Sequence, residues 1–436
     1  MKPALRLVVG LALLVLAGTL LLRVPACGRN QALTWAQAFF TAVSALATTG
    51  LSVITPGKDL SLTGQWVLLL LMQVGGVGYM VLSVVVFLLL GRDVTFQDRV
   101  TLRDSLGLIS TSSLLHLVRL VVAGVVLIEV TGGLALWLLW GPAMGWKQAA
   151  YLGLWHSVSA FCNASFDLFS GSPDAPAGFP QDAGTLLVLS SMVALGSIGI
   201  PVLSELVRWR PGKRLSLHTR LTLITVGVLL LGGTVLLFVG FSQTGDLFAD
   251  QPWPRRLLMA WFHSSTARTS GFVLEDLSHM HAGNVLVLSC LMFVGGSPAS
   301  MGGGITTSTV AVLLLAVQAQ VRGRGRVRAG ARELATETVT KASAIFVLAL
   351  VFCGVVSWLL LITQPATLPE AIFETVSAFS TCGFTLGLTT RLDLFGQFLV
   401  AATMFCGRLG VLTVVVAMTR TSTSLVRYPE EKILIG

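Results

Sequence analysis

Thr48-Thr49-Gly50, Asn163-Ala164-Ser165, Thr269-Ser270-Gly271 and Thr381-Cys382-Gly383 are four polar tripeptides set in apolar surroundings, and their alignment decides the fold. Superposed without gaps on Gly50, Ser165, Gly271 and Gly383, they share an aromatic residue ten positions earlier: Phe40, Trp155, Trp261 and Phe373. A serine stands six positions earlier in all four (Ser44, Ser159, Ser265, Ser377). Leu51, Phe166, Phe272 and Phe384 follow directly. Polar turns ending buried half-helices could be alike by chance. Agreement in several columns, each at the same place between two apolar runs, instead marks an internal fourfold repeat.

Working outward, each tripeptide closes a short mixed segment: 32–47, 146–161, 253–267 and 368–380. A crossing needs about 20 largely apolar residues, so these are read as half-helices that enter the membrane and return. Eight longer apolar runs flank them: 3–22, 65–90, 114–140, 184–207, 221–241, 284–321, 342–362 and 395–419. The expected fold is an all-α membrane protein of four span–re-entrant loop–span units in pseudo-fourfold arrangement around one pore. It has eight full spans plus four half-helices, divided as 1–90, 91–208, 209–321 with a broken second helix, and 322–436 with a cytoplasmic tail. Backbone that re-enters the bilayer survives only when buried in protein or lining a water-filled cavity, and four such loops imply a shared aqueous path. The whole composition agrees: 54% of the 436 residues are hydrophobic and 11% charged, against about 25% charged in soluble domains. No soluble domain remains, so a sensing module would sit on another chain.

The formal charge of +9 is unevenly placed. Arg208, Arg210, Lys213, Arg214 and Arg220 crowd one connection, and Arg322, Arg324, Arg326, Arg328 and Arg332 another. Arg92, Arg99 and Arg103 lie in a third, diluted by Asp93, Asp98 and Asp104, while Arg420, Arg427 and Lys432 follow the last run. Basic loops stay cytoplasmic, which puts both termini inside. Short basic loops between spans are a poor nucleic-acid surface, so none is expected as a partner. The apolar start after Lys2 resembles a signal peptide but is long enough to span, and is read as retained. Six scattered cysteines indicate neither a disulfide framework nor a zinc site. No buried nucleophile–base or metal constellation suggests an enzyme, and no cofactor is expected.

The residue types give the tripeptides their chemistry. A dehydrated cation needs oxygens in place of water, and rings of backbone carbonyls supply them in selectivity filters. Glycine most easily adopts the angles that turn successive carbonyls to one axis, and the half-helix before it aims its negative end at a cation. All twelve tripeptide residues are therefore candidate cation ligands. The transported cation is the only metal expected, held at the filter. Ser165 breaks the glycine column, either as a side chain tolerated away from the pore or as a change in selectivity.

Below the third filter, Gly295-Gly296-Ser297-Pro298-Ala299-Ser300-Met301-Gly302-Gly303-Gly304 cannot be continuous helix. It is read as a flexible barrier or, alternatively, as a kink for close packing. Arg408 stands inside the last apolar run. At the bilayer centre an arginine costs at least about 2.5–3.5 kcal/mol, so it is read as a cation barrier beside the glycine-rich stretch, with a buried salt bridge as the alternative. Arg268 and Glu374 are a candidate buried pair supporting the filter. Glu129 is either a coupling-ion site or packing glue.

With these residues in view, the chain resembles the Trk/Ktr/HKT superfamily of potassium transporters over essentially its whole length. Thr266-Ala267-Arg268-Thr269-Ser270-Gly271-Phe272 is similar to the third filter of the Ktr-type membrane subunit, and the stretch 295–304 to its gating loop. Gly407-Arg408-Leu409-Gly410 and Tyr428-Pro429-Glu430-Glu431-Lys432 are similar to its last span and tail. The resemblance implies sodium-stimulated potassium uptake in a bacterial inner membrane. It further implies a homodimer with one pore per subunit and a cytoplasmic ring of nucleotide-binding, RCK-type regulatory subunits. A proton- or sodium-coupled symporter of the Trk kind is the alternative.

Overall fold

Among the described residues of the computed structural model, four helices are long and apolar enough to cross a membrane: Leu5–Arg23, Val121–Met144, Leu217–Gly240 and Thr336–Thr363. A fifth span arises if a bent pair is counted as one. The structure describes residues 3–78, 114–172, 178–210, 212, 214–243, 246–330, 332–410 and 413. The basic connection around Arg92–Arg103, Lys213, and the tail with Arg420, Arg427 and Tyr428–Lys432 lie outside them.

In chain order the helices are α1 (Pro3–Arg23), α2 (Trp35–Leu46), α3 (Leu62–Val77), α4 (Leu114–Met144), α5 (Trp146–Phe161), α6 (Ala183–Ile198) and α7 (Ile200–Arg208). They continue with α8 (Leu217–Gly240), α9 (Trp253–Ala267), α10 (Ala282–Phe293), α11 (Thr307–Val321), α12 (Thr336–Thr363), α13 (Leu368–Ser380) and α14 (Leu394–Leu409). Their starts are written in the sequence. The hydroxyl or carboxylate of Thr34, Ser61, Asp182, Ser216 and Asp393 each accepts from a backbone N–H of the first turn, satisfying donors that a helix leaves unpaired. Gln37 returns the bond at Thr34, closing a capping box. Leu13, Leu16 and Leu20 of α1, Leu231 and Val235 of α8, and Val351 and Trp358 of α12 remain exposed; a hydrocarbon solvent covers such faces without cost.

The short half-helices α2, α5, α9 and α13 are the most buried elements. The second helix of each unit packs on the half-helix of the next: α3 on α5, α6 on α9, α10 on α13, and α14 back on α2. The close approach needs glycine. A Cβ on Gly75, Gly196 or Gly407 would collide with the carbonyl of Leu46, Phe161 or Phe379, respectively. Those three carbonyls belong to the residue four positions before Gly50, Ser165 and Gly383. Gly407→Ala is expected to cost about 1–3 kcal/mol through overpacking. Gly354→Ala, whose added methyl meets nothing within 4 Å, is the control; a thermal melt that does not separate the two variants counts against this packing.

The runs 65–90, 184–207 and 395–419 are not continuous helices. α3, α6 and α14 stop at glycines with left-handed φ, Gly78 (+87°), Gly199 (+95°) and Gly410 (+80°). After Gly199 the chain turns by 101° into α7. The physical reason is local: one glycine with positive φ ends a helix without changing the hydropathy of the run. The third unit breaks over the longer stretch 295–304, and α11 restarts after it. Between α11 and α12 a small hairpin pairs Arg328–Ala329 (β1) with Arg332–Glu333 (β2), and Arg326 lies 3.4 Å from Glu333.

Candidate ion-conduction site

Each half-helix ends where its tripeptide begins, and the serine column ties the two together. Ser44 Oγ accepts from Gly50 N–H (3.0 Å) and Ser377 Oγ from Gly383 N–H (3.1 Å). Ser159 Oγ donates to Phe166 O (2.8 Å). The third unit differs. Ser265 Oγ bonds within its own helix, to Phe262 O, and Thr266 O collects Ser270 and Gly271 N–H, both at 2.8 Å.

Three of the four tripeptides also share a strained start. Thr48, Asn163 and Thr381 have φ of +54°, +54° and +52°. This region is poor for any side chain and worst for a β-branched one; such residues cost about 1–3 kcal/mol each and persist where the surroundings over-determine them. Here the fixing contacts are visible. Thr48 Oγ1 donates to Ala47 O (2.7 Å) and reaches Met301 O at 3.0 Å. Thr381 Oγ1 accepts from Gly303 N–H at 2.8 Å. With its amide oxygen toward Thr269, Asn163 accepts from Thr269 Oγ1 at 3.1 Å and donates to Ala160 O and Val193 O.

The four strands lie within a methyl group of one another. A Cβ on Gly50 would meet Ala164 O at 2.5 Å, one on Gly271 would meet Cys382 O at 2.5 Å, and one on Gly383 would collide with Thr49 O. The structure therefore brings together all four tripeptides, with the carboxyl-terminal ends of four half-helices beside them. Thr48, Thr49, Asn163, Ala164, Thr269, Ser270, Thr381 and Cys382 are buried, while Gly50 and Ser165 are half-buried. The Ser165 side chain does not turn away from this ring. Its hydroxyl lies 2.9 Å from Thr49 O and 3.2 Å from Cys382 O, because φ of +50° at Ser165 swings its Cβ toward the neighbouring strands.

The glycine-rich stretch sits against the strained start of the tripeptides. Besides Thr48 and Thr381, it bonds the second unit through Ser297 N–H to Ser197 O (2.9 Å), Met301 N–H to Gly196 O (3.1 Å) and Ile200 N–H to Ala299 O (3.0 Å). Thr269 packs against Gly302. The stretch thus touches all four units. Arg408 closes the arrangement: its guanidinium donates to Met301 O, Gly75 O and, at 3.3 Å, Gly76 O. Gly295 and Gly296, at the entry, lie against Gly303 and Ser300 across the loop.

Arg268 and Glu374 do not pair. Arg268 Nη2 donates to Gly295 O at 3.5 Å, and Glu374 accepts from Thr385 Oγ1 (2.7 Å) and from Thr389 Oγ1. The carboxylate thereby pins the strand leaving the fourth tripeptide. His156 does the same in the second unit: its Nδ1 donates to Leu152 O (2.8 Å), its Nε2 accepts from Leu168 N–H (3.3 Å) and lies 3.4 Å from Asp167. His156 and Glu374 occupy one repeat position, nine before the anchor. Sequence reading passed over it because the chemistry differs and Thr41 and Phe262 fill the other two. Glu374→Leu leaves the half-buried Thr385 and the buried Thr389 hydroxyls without this acceptor, at about 1–3 kcal/mol for the buried one. The expected result is a lower melting temperature with reduced uptake, and Glu374→Gln, which keeps an acceptor, is expected to retain most of both.

Glu129 has partners: Gln73 Nε2 donates to it at 3.1 Å and Cys162 Sγ lies at 3.8 Å. These bonds join α4 to α3 and to the end of α5. Among the described residues no group of His, Cys, Asp and Glu is arranged to hold a metal ion.

Comparison with known proteins bears on the family and the fold. The TrkH family, described as "Cation transport protein", matches residues 10–428. Ktr system potassium uptake protein B of Vibrio alginolyticus is 35% identical over 405 residues, covering 92% of this chain and 88% of that one. Potassium/sodium uptake protein NtpJ of Enterococcus hirae is 30% identical over 447 residues, covering 100% and 98%. The crystal structure of the potassium transporter TrkH from Vibrio parahaemolyticus superposes with a TM-score of 0.72 at 21% identity, covering 96% of this chain and 85% of that one.

Proposed function

The chain belongs to the TrkH family of cation transport proteins, and from that premise we propose that it takes up potassium across a bacterial inner membrane through its four converged tripeptides. The observation that carries the reading is their convergence at the ends of four half-helices. Carbonyl oxygens there replace a cation's water, and four negative helix ends favour its charge. The cyclic packing of each second helix on the next half-helix supports a pseudo-fourfold ring of four span–loop–span units, with eight crossings and both termini cytoplasmic. The glycine-rich loop with Arg408 is the barrier below the filter: a positive charge and a strapped loop on one side of a cation site. The basic segment 322–335 is cytoplasmic on this reading and faces a ring of nucleotide-binding subunits, beneath a homodimer with one pore per chain.

Sodium permeation is a second reading, favoured by the side-chain oxygen that Ser165 adds to the ring; one relative carries the name of a potassium/sodium uptake protein. Purified chain in liposomes tests both. Potassium or rubidium uptake well above protein-free vesicles is expected, and sodium uptake at a similar rate would favour the second reading. No flux of either ion, with the protein folded and inserted, would overturn the proposal.

A further inference from the structure

We propose that the Ser165 hydroxyl is a latch across the filter, donating to the carbonyl of Thr49 or of Cys382 until an arriving cation displaces it. The inference rests on the transport reading above and adds a moving part to it. Ser165 is the one side chain at a level where the other three units carry Gly50, Gly271 and Gly383. Its unit packs beside the first and third in the cyclic order, so the fourth unit is opposite. The hydroxyl nevertheless lies 3.2 Å from Cys382 O in that opposite unit, as well as 2.9 Å from Thr49 O in the adjacent one. A Cβ built on either Gly50 or Gly383 would run into this same oxygen. The hydroxyl therefore occupies the space that those two glycines face.

A hydroxyl has one hydrogen and two acceptor lone pairs. While it donates to Thr49 O or Cys382 O, it satisfies a carbonyl that a cation would otherwise engage. When the side chain turns, that carbonyl is released and the same oxygen can face the ion as a ligand. Rotation about one side-chain bond is fast, in the picosecond-to-nanosecond range for unhindered groups. The latch thus adds a barrier to each passage without a domain motion. Its backbone also points to function rather than filling: serine at φ +50° is strained, and strain of this kind gathers at functional sites.

Liposome uptake of rubidium and sodium by Ser165→Gly and Ser165→Ala tests the latch. Alanine keeps the Cβ and removes only the hydroxyl; glycine is what three sister positions already accommodate, so that variant is expected to melt no lower than the parent. Loss of one released hydrogen bond corresponds to a maximal rate about tenfold higher for both variants. If glycine alone accelerates uptake and alanine matches the parent, bulk is responsible and the latch is overturned. Parental rates in both variants overturn it too, leaving the transport reading intact. No flux in the parent chain, by contrast, removes that reading and the latch together.

Discussion

Arg408→Ala is expected to raise the maximal rate of cation uptake about ten- to a hundredfold while leaving the order of preference among cations unchanged. The guanidinium holds Met301 O of the glycine-rich loop against Gly75 O and Gly76 O of α3. Hydrogen bonds from a charged donor contribute about 1.5–3 kcal/mol each, so removing the fork frees the loop by one or two powers of ten in rate. The charge acts in the same direction. Two like unit charges about 5 Å apart repel by about 3 kcal/mol at an effective dielectric of about 20, and alanine removes that repulsion from the approach to the filter. On the proposed reading discrimination resides elsewhere, in the tripeptide carbonyls that Arg408 does not bond. Arg408→Lys keeps the charge and loses the fork, so its rate is expected between parent and alanine. A folded, inserted Arg408→Ala protein with unchanged flux, or with reordered cation preference, would remove the residue from the barrier. A defect confined to membrane expression would make it a packing residue.

The parts of this architecture that were legible in sequence are those that repeat. Segments 146–161, 253–267 and 368–380 coincide with α5, α9 and α13, because a half-helix between two full apolar runs is marked at both ends by composition. The tripeptides could be aligned because Ser44, Ser159, Ser265 and Ser377 persist, and three of these hydroxyls prove to bond the strand they precede. What stayed hidden depends on a single dihedral or a distance. Gly78, Gly199 and Gly410 each end a helix by taking positive φ, yet glycine is frequent inside membrane helices, so the runs read as unbroken. Arg268 and Glu374 carry opposite charges on equivalent stretches, but the sequence gives no distance between them, and each found neutral partners instead. The direction of the Ser165 side chain follows from a left-handed backbone that serine does not announce.

Deleting Gly302, Gly303 and Gly304 is the complementary test, and uptake is again expected to rise about tenfold or more, with regulation weakened. The deletion is tolerable because the loop closes on itself: Val294 and Ile305 form a β-bridge at its two ends, and shortening a closed loop changes its closure entropy by only a fraction of a kcal/mol. What it removes is the Gly303 N–H bond to Thr381 Oγ1, the Gly304 N–H contact to Gly407 O at 3.4 Å, and the packing of Gly302 on Thr269. These hold the loop against the third and fourth units, whereas Arg408 holds it through Met301. If both straps restrain one barrier, cutting either frees it and cutting both adds little. The rate increases of the deletion and of Arg408→Ala are then expected to combine well below their product, the signature of residues acting on a shared element. Full multiplication of the two effects would mean that the arginine and the loop oppose the cation separately, with Arg408 acting through its charge alone.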